Sequence, residues 1–211
     1  DAMRSNTTAS NNTAVGHEAG YTNTTGAQNT FLGRKAGRGV TTGSENIFVG
    51  NSAGRDGTVT GDYNIGLGSV TLNALTSGSY NIAIGRDALG ANTTANYNTA
   101  VGYQSLLANT TGTENTALGS FSLAANTTGN YNVALGKGTL ESDTLGSRNI
   151  AIGANALQTQ NFTSATDSYN LGIGYYAGQS VTTAEANNLI GGLAGDALTT
   201  GSYNVALGVV A

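Results

Sequence analysis

Residues that could carry catalysis are scarce in this chain and poorly spaced for it. His17 is the only histidine and cysteine is absent. A zinc cluster, a thiolate nucleophile and a Ser-His-Asp relay therefore each lack a member. Carboxylate chemistry remains, and glycoside hydrolysis needs two acids within about 10 Å of each other. Glu45 and Glu114 occupy the same column of a repeat, yet they stand four repeats apart, roughly 19 Å at strand spacing. Glu141 and Asp143 are neighbours in a turn, with nothing beside them to push their pKa values apart into an acid and a base. Asp56 and Asp62, flanked by Gly57 and Gly61, offer a weak Ca²⁺ turn at most, and a solvated loop is the simpler expectation. Gly-x-Gly at 66–68 and 172–174 has no βαβ unit around it to hold a dinucleotide. The expectation is no catalytic residue, no metal and no cofactor.

Binding chemistry is better supplied. Tyrosine stands immediately before a recurrent Asn at 63, 80, 97, 131, 169 and 203, six of the ten tyrosines. Tyr63, Tyr80 and Tyr97 fall in consecutive repeats, so their rings should form a ladder. An exposed ladder holds sugar rings by their apolar faces, whereas a packed one covers an edge. The longest connection, 158–169, would carry Phe162 at its apolar tip, a natural recognition point on a regular shaft. Tyr63, Tyr80, Tyr97, Tyr131 and Phe162 are thus the candidate contacts to a polysaccharide. Arg34, Lys35, Arg38 and Arg55 form the one basic neighbourhood, which reads as a solubility device or a contact to anionic sugar. Paired Thr columns, from Thr7-Thr8 to Thr199-Thr200, raise ice binding, although adjacent residues of a strand face opposite sides and only one row would present outward. Asn-x-Thr acceptor triplets begin at Asn6, Asn11, Asn23, Asn92, Asn109, Asn126 and Asn161.

These columns exist because the whole chain is a repeat. Asn followed four residues later by Gly occurs at Asn12, Asn29, Asn46, Asn64, Asn81, Asn98, Asn115, Asn132, Asn149, Asn170, Asn187 and Asn204. The steps are 17 residues except for one of 18 and one of 21. With Asn as position zero, position three is always aliphatic, as in Asn-Ile-Ala-Ile-Gly (81–85) and Asn-Val-Ala-Leu-Gly (132–136). Such a period is too short for helix pairs, and four-residue apolar stretches between Gly, Asn and Thr read as strands. Each copy is one coil, and stacking in register pairs every strand with those above and below at ~4.8 Å. The predicted fold is an all-β parallel solenoid of about twelve 17-residue coils. Residues 1–11 form a lead-in and partial coil, 12–211 form one repeat domain, and insertions lie near 51–63 and 158–169.

Positions one and three of each strand share a face and position two points the other way. Both sides are apolar or small, so both need cover. The reading places positions one and three toward the interior. Phe31, Phe48, Ala83, Ala100, Ala117, Ala134 and Ala151, at position two, are then predicted to meet neighbouring chains, with the two phenylalanines plugging the assembly near its N-terminal end.

The composition agrees with such a rod. Only 9% of residues are charged, net −4, with 32 Gly and no Pro, Cys or Trp. No basic face meets nucleic acid, and no apolar run approaches a membrane span or a signal peptide. Asn-Thr-Ala-Val-Gly-Tyr-Gln-Ser-Leu (98–106) with Asn-Thr-Thr-Gly-Thr-Glu-Asn (109–115) resembles the repeats of bacteriophage tail-fibre proteins. It is also similar to the Ala-Ile-Gly coils of trimeric autotransporter adhesin heads, although the period here is longer. The resemblance implies a homotrimer of parallel β-rolls, extracellular or on a virion, that attaches to a host surface. A second expectation is a head-to-tail filament of copies, since the last copy ends partway through at Val209-Val210-Ala211 and an open coil can stack.

Overall fold

The computed structural model describes Asp1 to Ala211 and contains no helix. The strands are β1 (Thr13–Val15), β2 (Thr30–Leu32), β3 (Ile47–Val49), β4 (Ile65–Leu67), β5 (Ile82–Ile84), β6 (Thr99–Val101), β7 (Thr116–Leu118), β8 (Val133–Leu135), β9 (Gly146–Ser147), β10 (Ile150–Ile152), β11 (Thr166–Asp167), β12 (Leu171–Ile173), β13 (Asn188–Ile190) and β14 (Val205–Leu207). All but β9 and β11 form one parallel sheet of twelve strands in sequence order, with β9 and β11 pairing separately. The chain is a parallel β-solenoid, and its sheet begins one residue after each recurrent Asn.

Three-residue strands supply little of the cohesion. Of 131 backbone hydrogen bonds, only 23 lie within the strands, so coils are held mainly through their turns. The Asn column does much of this. Asn98 Oδ1 accepts the backbone N–H of Asn115 at 3.0 Å, and Asn98 Nδ2 donates to the Gly112 carbonyl at 2.9 Å. The motif runs from Asn12–Asn29 at 2.8 Å to Asn187–Asn204 at 2.9 Å, with its middle members fully buried. It even survives the longer coil, where Asn149 Oδ1 accepts from Asn170 N at 3.1 Å.

The interior is a single cluster of 25 buried residues, and it reverses the sequence-based facing of the strands. Position two points inward: Phe31, Phe48, Ala83, Ala100, Ala117, Ala134 and Ala151 are completely buried within their own chain. They are core residues, not an oligomer interface. Alanine suffices there because position eight fills the rest of the same thin space. Coils with Ala at position two, such as Ala83, Ala100 and Ala117, carry buried Leu89, Leu106 and Leu123 at position eight. Where position two is Phe31 or Phe48, the neighbouring position-eight residues are Gly20, Gly37 and Gly54, and an added Cβ on any of them would press into those rings. Leu189 stands in the same relation to Gly178 and Gly195.

Four corners per coil take left-handed backbone, at positions minus one, four, six and eight. The glycine at four has no substitute, since a Cβ on Gly102 (φ 137°) would lie 2.6 Å from the Gly119 carbonyl. Position eight tolerates Leu near φ 48°. Left-handed backbone costs roughly 1–2 kcal/mol, and burying a leucine side chain returns roughly 1.5–3 kcal/mol.

Both insertions leave the sheet intact. β3 and β4 remain in register across the 18-residue step, because the extra residue is absorbed before the Val40–Val59 bridge. The four extra residues of the longer coil are taken up between Asn161 and Asn170, where β9 and β11 pair, and β10 and β12 stay aligned. Phe162 is not an exposed tip: it is 5% exposed, buried within the insertion and outside the continuous core cluster. Apolar insertion residues bury when a gap is open to them.

Two stability measurements check this account. Asn115→Ala should lower the unfolding free energy by about 2–3 kcal/mol in urea, because the buried Asn132 N–H loses its acceptor. Phe48→Ala should cost about 3–5 kcal/mol, and Gly54→Leu alone should also destabilise by forcing a side chain into the Phe48 ring. The double variant rebuilds the Ala83–Leu89 pattern, so its loss should be less than half the sum of the two.

Candidate functional site

No pocket opens anywhere on the rod, so any site is a surface. The candidate residues fall into an outward sheet face, a tyrosine edge and a few carboxylate environments.

Because position two is interior, positions one and three form the outer face of the twelve-stranded sheet. Val15, Leu32, Ile47, Ile84, Leu118, Ile150, Val205 and Leu207 are all exposed there, Leu118 by 50%. The rows run the length of the rod, roughly 53 Å at strand spacing. Sequence reasoning exchanged the two sides, although a signal was present: position one carries Thr13, Thr30, Thr99, Thr116 and Asn188, while position two is never polar. A polar side chain is tolerated on the wet side and costs heavily in a dry interior.

One border of this face is the column before each Asn. Tyr63, Tyr80 and Tyr97 stack as the spacing predicts, with ring centroids 4.9 and 5.1 Å apart and planes within 10° of parallel. All three are about half exposed. Face-to-face stacking covers both faces of the Tyr80 ring, so this ladder offers ring edges and hydroxyls to a ligand rather than open aromatic faces. Hydrogen bonding and the negative charge of Glu45 hold the Tyr63 phenol above its usual pKa. Glu114 then interrupts the ladder. Beyond it the Arg148 guanidinium lies over Tyr131 at 4.8 Å and Tyr169 at 5.9 Å, and pairs with Asp167 at 3.1 Å. Phe162 lies apart from this edge, inside the insertion.

The remaining polar candidates are largely satisfied within the chain. Glu18 takes Arg38 at 3.0 Å and Lys35 at 3.9 Å, and Arg55 pairs with Asp56 at 2.5 Å. Arg34 alone of the four basic residues has no acidic partner. Hydrogen bonds from Arg55 lower the Asp56 pKa, and Asp62 accepts the Ser44 N–H at 2.7 Å. The suggested Ca²⁺ pair is thereby split between two local roles. First-column Thr hydroxyls donate to the next coil, as Thr93 does to the Thr110 carbonyl at 3.1 Å, so between the ends of the rod the exposed column is the second, including Thr94, Thr111 and Thr128, with first-column Thr7 and Thr199 exposed at the two ends. Among the Asn-x-Thr acceptors, Asn23, Asn92, Asn109 and Asn126 are fully buried. Asn6, Asn11 and Asn161 are exposed.

The sequence reading of Asp143 as a turn acid with nothing beside it to move its pKa is corrected: it is a buried carboxylate in the column otherwise occupied by Asn92, Asn109 and Asn126. It accepts Gln160 Nε2 at 2.6 Å and the Gly146 N–H at 3.0 Å, and Gln160 in turn accepts from Asn170 at 2.9 Å. The acid thus ties the irregular coil to the regular ones. Burial raises its pKa, against the lowering effect of these hydrogen bonds.

No protein-family model, curated protein or solved structure matches the chain, and the site is defined by its geometry alone. For Asp143 the linkage has a definite sign. An acid whose folded pKa lies above its unfolded value binds more protons when folded, so stability rises as pH falls from neutrality through the folded pKa. Urea midpoints should show this rise in the parent chain and lose that contribution in Asp143→Asn, which should also be the more stable of the two at pH 7.

Proposed function

We propose that this chain is a non-enzymatic rod that associates side by side with copies of itself, as a homotrimer, and serves as a rigid extracellular attachment segment of the tail-fibre or adhesin kind. The observation that carries the reading is the outward sheet face. Its 24 positions, two on each of twelve strands, include no charged residue, and the position-three row is aliphatic from end to end. Contiguous exposed apolar surface on a soluble protein marks an interaction site. A regular face with one repeat pitch is best matched by a surface of the same pitch, which another copy provides. The resemblance of the Asn-Thr-Ala-Val-Gly repeats to trimeric fibres supports the same arrangement.

Attachment would then rest on what stays outside the assembly. The tyrosine edge, with hydroxyls repeating at ladder spacing, offers many weak, identical contacts to a polysaccharide, and multivalency turns such contacts into useful avidity. Stiffness follows from the solenoid, where each coil pairs with both neighbours.

Sedimentation of the purified chain should show an oligomer. Leu118→Arg, which places a charge on the outer face, should leave far-ultraviolet dichroism unchanged and weaken association more than ~100-fold, about 2.7 kcal/mol. Ala100→Arg, in the core, should instead unfold the chain. A folded 21.1 kDa monomer in the parent protein would remove the oligomer reading. On a glycan array, Tyr80→Phe retains the ring stack but loses a hydroxyl and should weaken binding; the absence of any glycan hit would remove the polysaccharide contact.

A further inference from the structure

The interior column eleven residues after each recurrent Asn carries a side-chain ladder with one member out of keeping. Asn92, Asn109 and Asn126 hold it in consecutive coils, followed by Asp143 and Gln160, and all five are fully buried. Each donates to the oxygen of the one before: Asn109 Nδ2 to Asn92 Oδ1 at 3.3 Å, Asn126 Nδ2 to Asn109 Oδ1 at 2.9 Å and Gln160 Nε2 to Asp143 Oδ2 at 2.6 Å. The missing rung runs from Asp143 to Asn126, whose Oδ1 is buried without a partner. Asn23 Oδ1 is orphaned in the same column, one coil before Val40, which has nothing to donate. A carboxyl group differs from valine because it donates once it is protonated. The group is also turned the right way. At the corner glycine three residues on, the side-chain atom that an added Cβ would meet first is Asn109 Oδ1 for Gly112, Asn126 Oδ1 for Gly129 and Asp143 Oδ2 for Gly146. Asp143 Oδ2 thus stands where its neighbours hold the amide oxygen, and Oδ1 where they hold the amide nitrogen that reaches back to the preceding coil.

We infer that Asp143 is a proton-binding site of the folded rod: a proton on Oδ1 is donated to Asn126 Oδ1, the acid takes the part of an asparagine, and the proton ties the longer coil's insertion to the regular coils. The same carboxyl group accepts from the Gly146 N–H at 3.0 Å, from Gln160 and from the Phe162 backbone, so the insertion closes directly over it. No cation is placed to hold it as a carboxylate. The coil before it, 115–131, has no charged residue; Lys137, Glu141 and Arg148 on its own coil and Asp167 on the next are the charges around it, with the phenols of Tyr131 and Tyr169. Lys137 is exposed, Glu141 accepts from Gln158 at 2.8 Å and Arg148 pairs with Asp167 at 3.1 Å. An unpaired buried carboxylate is costly, and burial favours the neutral form. Ionisation would also set a negative charge against the Asn126 oxygen. Opening of the insertion gives the carboxylate access to water, so it becomes easier as the pH rises.

Infrared difference spectra of the purified chain read the proton directly, with Asp143→Asn as the reference because asparagine restores the missing rung. Parent minus variant should show one protonated-carboxyl band that persists at pH values where exposed carboxylates such as Glu45 and Glu114 are ionised, and that titrates away as the pH rises further. In Asn126→Val, which puts in this column the residue it already holds at Val40, the band should disappear at lower pH, with proton binding roughly fivefold weaker for one lost hydrogen bond. Burial alone, in more apolar surroundings, moves it the opposite way. Leucine, which holds the column at Leu75, is the substitute if dichroism shows that the valine variant does not fold. Amide exchange across 161–168, taken as the ratio of parent to Asp143→Asn at each pH, should climb by up to about tenfold per pH unit through the acid range and level off once the folded rod has released the proton. A difference spectrum with only ionised carboxylate wherever the rod is folded overturns the proton site, and a stability gain with sodium or potassium over tetramethylammonium would then put a cation there. A band at unchanged or higher pH in Asn126→Val overturns the donation to Asn126, and an exchange ratio flat with pH overturns the tie to the insertion. None of these readouts needs an oligomer, so a monomer in sedimentation removes self-association and leaves this site standing.

Discussion

Everything in this rod depends on one constraint: each coil must give the next a complete and correctly placed set of hydrogen-bonding partners. A coil has too little volume to be stable alone, and its strands are three residues long. Cohesion therefore passes through turns, where unpaired backbone groups would otherwise be buried at a cost of about 1–3 kcal/mol each. The Asn column answers this with an amide that accepts a backbone N–H of the following coil and donates to a carbonyl there. Such a bond pattern demands a constant position for the Asn, and this is why the period holds so strictly where the rest of the coil varies.

The same constraint shapes the interior. Coils stacked at strand spacing leave a thin core, and its volume is shared between positions two and eight. Phenylalanine at one is met by glycine at the other, and alanine by leucine. Left-handed corners at position eight would normally call for glycine, but the buried leucine side chains recover enough to offset the backbone cost. Polar residues enter the interior only where the hydrogen-bond columns accept them, and Asp143 is the one carboxylate among them. Its position at the irregular coil, bonded to Gln160, links the adjustment in chain length to the regular ladder.

On the outside, the arrangement leaves a flat apolar sheet face bordered on one side by the tyrosine edge. The chain satisfies nearly all its polar groups internally, through stacked turns and local ion pairs such as Lys35 and Arg38 with Glu18. What it does not cover is a row of aliphatic side chains. Of the buried side-chain polar atoms only Asn23 Oδ1, Asn73 Oδ1 and Asn126 Oδ1 lack a partner, whereas aliphatic side chains stay exposed along the sheet face, and this contrast is the physical basis of the proposed side-by-side assembly.

Much of this was legible before any coordinates. The twelve Asn–Gly spacings determined the solenoid, its parallel pairing and the location of both insertions, because periodicity in a short-repeat chain translates directly into stacking. The tyrosine ladder followed from the same spacing. Which side of each strand faces inward was decided by tertiary structure. Alternation says only that positions one and three oppose position two, and bulk suggested that the aliphatics were the core. Leucines at position eight, six residues beyond position two, already occupy that core and leave room only for alanine, so the bulkier side chains are turned out. Phe162 likewise is buried within the folded insertion instead of standing at its tip, a matter of three-dimensional packing that no local spacing expresses.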